Sequence, residues 1–381
     1  MRQVCPWQKK IFDLTTLDSF CAAQAVQYVG GDFLEYIWKD LIKSIVLGFL
    51  LPAVLLTIVV LTQKPEQAWG SEEESTVSTQ STTTTIPTTV PPPTQTTQPQ
   101  PNPPMELLIW VLMDGELIQM ELESYVLGVV LAEVPSSFSP EALKAQAVAA
   151  RTAALYICES GRHRGSVCVN YACCQSYISL DAYRQIGGTE ERLARVQDAV
   201  QATAGQVMMY EGDLICAAYF SCSGGSTEDA AAVWGSEVPY LQAVESPGEE
   251  FAAVYTDSVY FSPETFQQKL CVQLQGPPES WFSYVTYTDG GGVETMFIGG
   301  VCYRGTTLRA LLGLRSTAFT VSVSENVICI QTKGYGHRVG MSQYGAQAMA
   351  LAGADYEQIL IHYYQGAELS EFAIGEQPVI P

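Results

Sequence analysis

Residues 126–155 read VLGVVLAEVPSSFSPEALKAQAVAARTAAL: an apolar run reaches one carboxylate at Glu133, breaks at Pro135 and restarts as a long alanine-rich segment. Val134 precedes a proline and is pushed away from helical geometry, so a helix beginning near Tyr125 must end at Glu133. A second helix starts at Ser139, with Ser139 as N-cap, Pro140 at the first position and Glu141 in the first turn, where the helix dipole favours negative charge. Leu143, Ala147, Ala150, Ala154 and Ile157 fall on one stripe and read as core. Lys144 and Arg151, seven residues apart, share a neighbouring face. A solvated charged face is the plain account of that pair, and a positive wall facing Glu133 the sharper one.

Upstream, LLIWVLMDGELIQMEL (107–122) alternates around Asp114-Gly115, a strong signal for a β-hairpin. QVMMYEGDLICAAYF (206–220) suggests a second hairpin around Glu211-Gly212-Asp213. Between them a further helix runs from about Thr189 to Ala204, where Gly205 stops it. Helices and hairpins in this mixture make the class α+β. The globular part, residues 105–372, reads as one domain, open to division into two lobes, followed by a tail at 373–381.

The N-terminal third is different. From Ser44 to Thr62, SIVLGFLLPAVLLTIVVLT carries no charge and is long enough to cross a hydrocarbon core of ~30 Å at ~1.5 Å per residue. It reads as one transmembrane helix. Arg2, Lys9, Lys10, Lys39 and Lys43 precede it and only Lys64 follows before Lys144, so residues 1–43 are expected in the cytoplasm and the large domain outside. Residues 63–104, rich in Thr, Pro, Ser and Gln, have almost nothing to bury and read as a disordered, extended stalk. A formal net charge of −21 argues against a nucleic-acid partner held by a basic footprint.

Three groups of residues could carry chemistry. Glu133 is the first; taken alone, a helix-end glutamate is most often an exposed charge, and only an apolar pocket would make it a useful acid. The second is HRGSVCVNYACC, which puts His163, Cys168, Cys173 and Cys174 within twelve residues. Thiolate and imidazole ligands suit zinc, and four of them make a closed, structural site. A disulfide from Cys158 or Cys168 is the competing reading, ranked lower because adjacent Cys173 and Cys174 cannot comfortably pair but can both reach a metal. The third is KGYGHRVGMSQYGAQAMA (333–350), whose glycines allow close backbone approach to a ligand, with tight structural turns as the plain alternative. It is not a phosphate loop, and Ser342 is not in a nucleophile elbow.

Together these groups resemble the SpoIID/LytB family of sporulation and amidase-enhancer proteins. The likeness extends through YFSCSGGSTEDAAAVWGSEVPYLQAV (219–244), LRALLGLRSTAFTV (308–321) and YEQILIHYYQGAEL (356–369). It implies a SpoIID-type α+β domain and a lytic transglycosylase that cleaves peptidoglycan between N-acetylmuramic acid and N-acetylglucosamine, on strands stripped of stem peptides, leaving an anhydro end. Glu133 matches the family's catalytic glutamate. Because the muramic acid C6 hydroxyl serves as nucleophile, one carboxylate suffices where ordinary glycosidases need two. Its pKa is expected to be raised by apolar neighbours such as Val130 and Leu131.

By the same resemblance His163, Cys168, Cys173 and Cys174 would hold structural zinc, with Cys173 in place of a histidine, and catalysis would need no cofactor. Gln175, Tyr177, Ser223, Gly224, Gly225, Thr227, Trp234, His337, Ser342 and Gln343 would line the glycan cleft, with Lys144 and Arg151 beside it. Two positions depart from the pattern. Arg338 stands where the family usually has glycine, and would narrow the loop or contact the glycan; Cys222 replaces a small hydroxyl residue. A cell-wall amidase and a membrane scaffold are the implied partners. The rival reading is a noncatalytic glycan-binding amidase enhancer. A zinc peptidase is disfavoured, since no H-E-x-x-H is present and four protein ligands leave no open metal position.

Overall fold

The computed structural model describes residues 107–372. The cytoplasmic segment, transmembrane helix and stalk expected at 1–104 lie outside the described residues, as does the tail at 373–381. Among the described residues no helix is long and apolar enough to cross a membrane.

Strands β1 (Leu108–Met113) and β2 (Glu116–Glu121) form the expected hairpin. Asp114 and Gly115 both take positive φ, 53° and 87°, as a two-residue turn of this twist requires. Helix α1 (Leu122–Glu133) follows β2 directly and stops where Val134 turns extended ahead of Pro135. Helix α2 (Pro140–Glu159) is buried on nearly every side, far beyond the single stripe that the sequence suggested. Its alanines allow this: α1, α4 (Glu190–Ala202), α8 (Gln343–Leu351), α9 (Tyr356–Tyr363) and β4 (Gln206–Tyr210) all pack on it. Ser139 starts α2 without capping it through its side chain; instead its N–H donates to Gln347 Oε1 at 2.7 Å, tying α2 to α8.

A short helical turn (Arg162–Arg164) leads into β3 (Val167–Cys168), which pairs parallel to β1. Helix α3 is Leu180–Gln185, and α4 is capped at Thr189, whose hydroxyl accepts from Arg192 N–H at 3.3 Å. The second expected hairpin is β4 with β5 (Asp213–Leu214), turning at Glu211-Gly212. It is followed by β6 (Tyr219–Phe220) and α5 (Ala230–Trp234).

A second lobe is then inserted: β7 (Thr256–Phe261), α6 (Pro263–Leu270), β8 (Phe282–Tyr287), β9 (Val293–Ile298), β10 (Val301–Arg304), α7 (Gly305–Leu312), β11 (Phe319–Ser324) and β12 (Val327–Lys333). Two three-stranded sheets, β10-β9-β8 and β11-β12-β7, enclose its own core around Phe266, Trp281, Leu308 and Ile330. The chain returns to the first lobe as β13 (Met341–Ser342), parallel to β6, then α8, α9 and β14 (Glu368–Glu371), which pairs with β4. The first lobe is thus closed by its own two ends, around a core that includes Tyr125, Val129, Leu143, Val148, Met208 and Tyr363.

Candidate active site

Glu133 is the last residue of α1 and is half-buried. Its Oε1 accepts the backbone N–H of Ser176 at 2.7 Å. The segment carrying Ser176 can lie this close because α1 has no side chain at Gly128. A Cβ there would stand 2.8 Å from the Ile178 carbonyl oxygen and inside the Tyr177 ring, and Ile178 N–H donates to the Gly128 carbonyl at 3.1 Å. Tyr177 stacks on Tyr125, with ring centroids 5.7 Å apart.

Buried Gln175, one residue before Ser176, organises the ground behind the carboxylate. Its amide donates to the Ala150 carbonyl at 3.2 Å and to Tyr219 Oη at 2.9 Å, while its Oε1 accepts from Tyr125 Oη at 3.3 Å. Burial, and after it the negative charge of Glu133, holds the Tyr219 phenol well above its ordinary pKa; Tyr125 is raised by burial first and then by nearby thiols. Both remain neutral. Since Tyr219 Oη accepts from Gln175, its own hydrogen is left for another partner. Val130 and Leu131, expected to surround Glu133 with aliphatic groups, are themselves core residues. The polar groups tied to Glu133 are the Ser176 N–H, which it accepts, and the Tyr219 and Tyr125 phenols, which feel its charge.

The same segment begins at a candidate metal site. The ligand atoms of His163, Cys168, Cys173 and Cys174 all lie within 4.8 Å of one another, and His163 Nε2 is 3.3 Å from Cys173 Sγ. Arg162 Nη2 stands 3.3 Å from Cys173 Sγ, where it would offset the surplus negative charge of three thiolates on a divalent ion. Burial and Arg162 lower the His163 pKa, keeping the imidazole neutral as metal ligation requires. Every cysteine among the described residues is a free thiol, Cys158 and Cys168 included.

The parallel pairing of β6 with β13 brings the other two motifs together. His337 lies against Phe220 and Trp234, at 5.5 and 5.6 Å between ring centroids. Its Nδ1 accepts Val339 N–H at 3.1 Å, and burial followed by the charge of Arg309 lowers its pKa to about 3. It is therefore a neutral ring rather than an acid. Gln343 is buried, and its Nε2 has no partner within the protein.

Several expected cleft residues serve the fold. Ser223 Oγ donates to Glu249 Oε1 at 2.8 Å and accepts Gly225 N–H at 2.9 Å; Thr227 Oγ1 accepts Val244 N–H at 2.8 Å; Ser342 Oγ caps α8 by accepting Gly345 N–H at 3.1 Å. All three side chains are buried. Gly224, at a φ of 77°, lies too close to the Lys333–Gly334 backbone to carry a Cβ, and Gly225 also takes positive φ. Cys222 takes the role open to a hydroxyl, its Sγ donating to fully buried Glu249 at 2.9 Å.

Three expectations are corrected. Arg151 is fully buried and bidentate to Glu123, at 2.8 and 2.5 Å, so it lies against the first turn of α1 rather than beside Glu133 at its last. Lys144 pairs with Glu141 at 2.7 Å and lies over Tyr356; the positive wall does not form. Arg338 neither narrows a cleft nor reaches outward. At a φ of 65° it turns inward, 2% exposed, donating to Glu228 Oε1 at 2.9 Å and to the carbonyls of Ser223, Ser226 and Gly290. Sequence reading missed Tyr125, Tyr219, Ser176 and Glu249, although Tyr219 opens a stretch it singled out and Ser176 lies between two residues it named.

Residues 115–210 match the SpoIID family, described as stage II sporulation protein. The chain is 39% identical to stage II sporulation protein D of Bacillus amyloliquefaciens over 274 residues, 70% of this chain and 79% of that protein. It is 38% identical to the Bacillus subtilis protein of the same name, over 70% and 80% of the two chains. Similarity to the amidase enhancer of B. subtilis is 30% identity over 64% of this chain and 40% of that one.

Proposed function

The chain belongs to the SpoIID family, and from that premise we propose that it is a lytic transglycosylase of peptidoglycan glycan strands, with Glu133 as its acid and base. The observation that carries this reading is how Glu133 is held: the Ser176 N–H fixes Oε1 at 2.7 Å, which leaves Oε2 for substrate. Protonated, Oε2 gives its proton to the glycosidic oxygen as the bond from muramic acid C1 breaks. The resulting carboxylate then takes the proton of the C6 hydroxyl as O6 bonds to C1, so the proton count closes without water. Among the described residues, the groups hydrogen-bonded to Glu133 and to Gln175 behind it include no second carboxylate, which suits a substrate that brings its own nucleophile. Tyr219, with a hydrogen to donate, and the partly buried rings of Trp234 and His337 are the groups that would orient sugar hydroxyls and faces.

His163, Cys168, Cys173 and Cys174 would hold zinc. Bound there, the ion would brace the turn from which Gln175 and Ser176 emerge, with no part in the bond-breaking steps. A membrane span at 44–62, with residues 1–43 in the cytoplasm and the domain outside, would set the protein against septal wall during sporulation, beside an amidase that strips stem peptides and a membrane scaffold. The second reading, a noncatalytic amidase enhancer, is favoured by the similarity to the B. subtilis enhancer. Mass spectrometry of denuded strands incubated with the full chain separates the two. Anhydromuramic ends from wild type and none from Glu133→Gln are expected; strands bound intact by both would leave the enhancer.

A further inference from the structure

A cavity of about 620 Å³ among the described residues is lined by neither Glu133 nor its neighbours. It opens between α5 with the segment after it, on the first lobe, and the β8–β9 turn of the second. Its walls carry Asp229, Glu237, Asp289 and Glu294 and no lysine or arginine. Surface carboxylates alone are simply solvated, but here two buried atoms stand behind them. A smaller chamber of about 10 Å³ shares Ala232, Thr288 and Glu294 with the large one and is bounded by Glu228 and Thr317. Glu228 is 1% and Thr317 5% exposed, and Glu228 Oε2 and Thr317 Oγ1 make no hydrogen bond of good geometry within the protein, although the Thr288 hydroxyl in the same wall stabilises the Glu228 carboxylate. A buried carboxylate oxygen left unmatched calls for a donor, and the hydroxyl beside it has lone pairs to accept a second bond from the same group.

We propose that this two-chamber cleft binds a primary ammonium group at the end of a flexible chain, such as a diamino-acid side chain, with Glu228 Oε2 and Thr317 Oγ1 accepting two of its N–H bonds. The inner chamber admits a group about the size of one water molecule, which an ammonium head matches and a planar guanidinium exceeds. A divalent cation is a poorer fit, because the only His, Cys, Asp or Glu ligand atoms that converge among the described residues are those of the His163 cluster. The positive groups at the site are Arg304, turned onto the Ala232 carbonyl at 3.0 Å, and Arg338, paired with Glu228 Oε1. Five carboxylates against these two guanidiniums leave the cleft negative and draw a cation inward.

The test is calorimetric titration of the full chain with Nα-acetyl-lysine methylamide at about 150 mM salt, where long-range attraction is screened. Its Nε-acetylated form and tetramethylammonium, which offers no N–H, are the controls. Saturable one-to-one binding of the amine alone is expected. Thr317→Val and Glu294→Gln should each weaken it about tenfold, with unchanged melting temperature showing that the fold is intact. Heat that does not saturate, equal affinity for either control, or an unchanged affinity in Thr317→Val would overturn the assignment and leave water as the occupant. Glu133→Gln is expected to bind as wild type does, so the cleft stands or falls apart from the glycan chemistry.

Discussion

Arg338→Gly, which restores the residue usual in the family's motif, should destabilise this chain. The guanidinium and the Glu228 carboxylate are 2% and 1% exposed and 2.9 Å apart. Removing one partner of a buried pair costs about 3–5 kcal/mol, since the other charge is left uncompensated. Glycine returns about 1–2 kcal/mol by relieving the left-handed backbone. A net loss of about 1–4 kcal/mol remains, or roughly 2–8 °C in melting temperature for a chain of this size.

The pH dependence has a definite sign. Burial holds the Glu228 carboxyl above its usual pKa, with Arg338 opposing. When the folded pKa exceeds the unfolded one, the group's stabilising contribution is complete below the unfolded value of about 4.3 and is lost as pH rises through the folded value. Without Arg338 that loss deepens, so the gap between variant and wild type should narrow from about pH 7.5 to about pH 5. Glu228→Gln in the same chain should recover most of the stability. Circular-dichroism melts of the full chain at both pH values decide the matter. A single variant that melts with wild type, or a double variant no better than the single, would refute the reasoning.

Gly128→Ala would gain up to about 1 kcal/mol as a helix former in open surroundings, but here overpacking against Tyr177 and the Ile178 carbonyl costs about 1–3 kcal/mol and displaces Ser176; a lower melting temperature with a larger loss of glycan cleavage is expected. Chelation of the purified protein should lower its melting temperature and restore it on zinc addition, with metal analysis giving one ion per chain. His337, its pKa lowered to about 3 by burial and then by Arg309, contributes stability that is complete above the unfolded value of about 6.5 and lost as pH falls toward about 3. His337→Phe should flatten that acid limb in melts taken across the range.

What the sequence disclosed was local. Asp114-Gly115 and Ser139-Pro140 announce a turn and a helix start through their own backbone preferences, and the four metal-ligand candidates stand within one short run. Partners distant in the chain were illegible: Arg151 finds Glu123, and Arg338 finds Glu228 and Gly290, only after folding. Ser176 was missed because its contribution is a backbone N–H, which any residue but proline supplies. Where the two lobes divide was not legible, since apolar residues of either core carry the same pattern and the return strand β13 spans two residues.

The insertion of the second lobe bears on the order of folding. Residues 255 and 334, where the chain leaves and re-enters, are joined by a hydrogen bond from Gly334 N–H to the Tyr255 carbonyl at 2.8 Å, next to the β7–β12 pairing. If the inserted lobe forms first, it acts as a clasp that brings β6 and β13 within reach and lowers the entropic cost of closing the loop between them. Pulse-labelled hydrogen exchange should then protect the amides of β12 before that of Met341; the opposite order would mean that the outer lobe closes around a still-open chain.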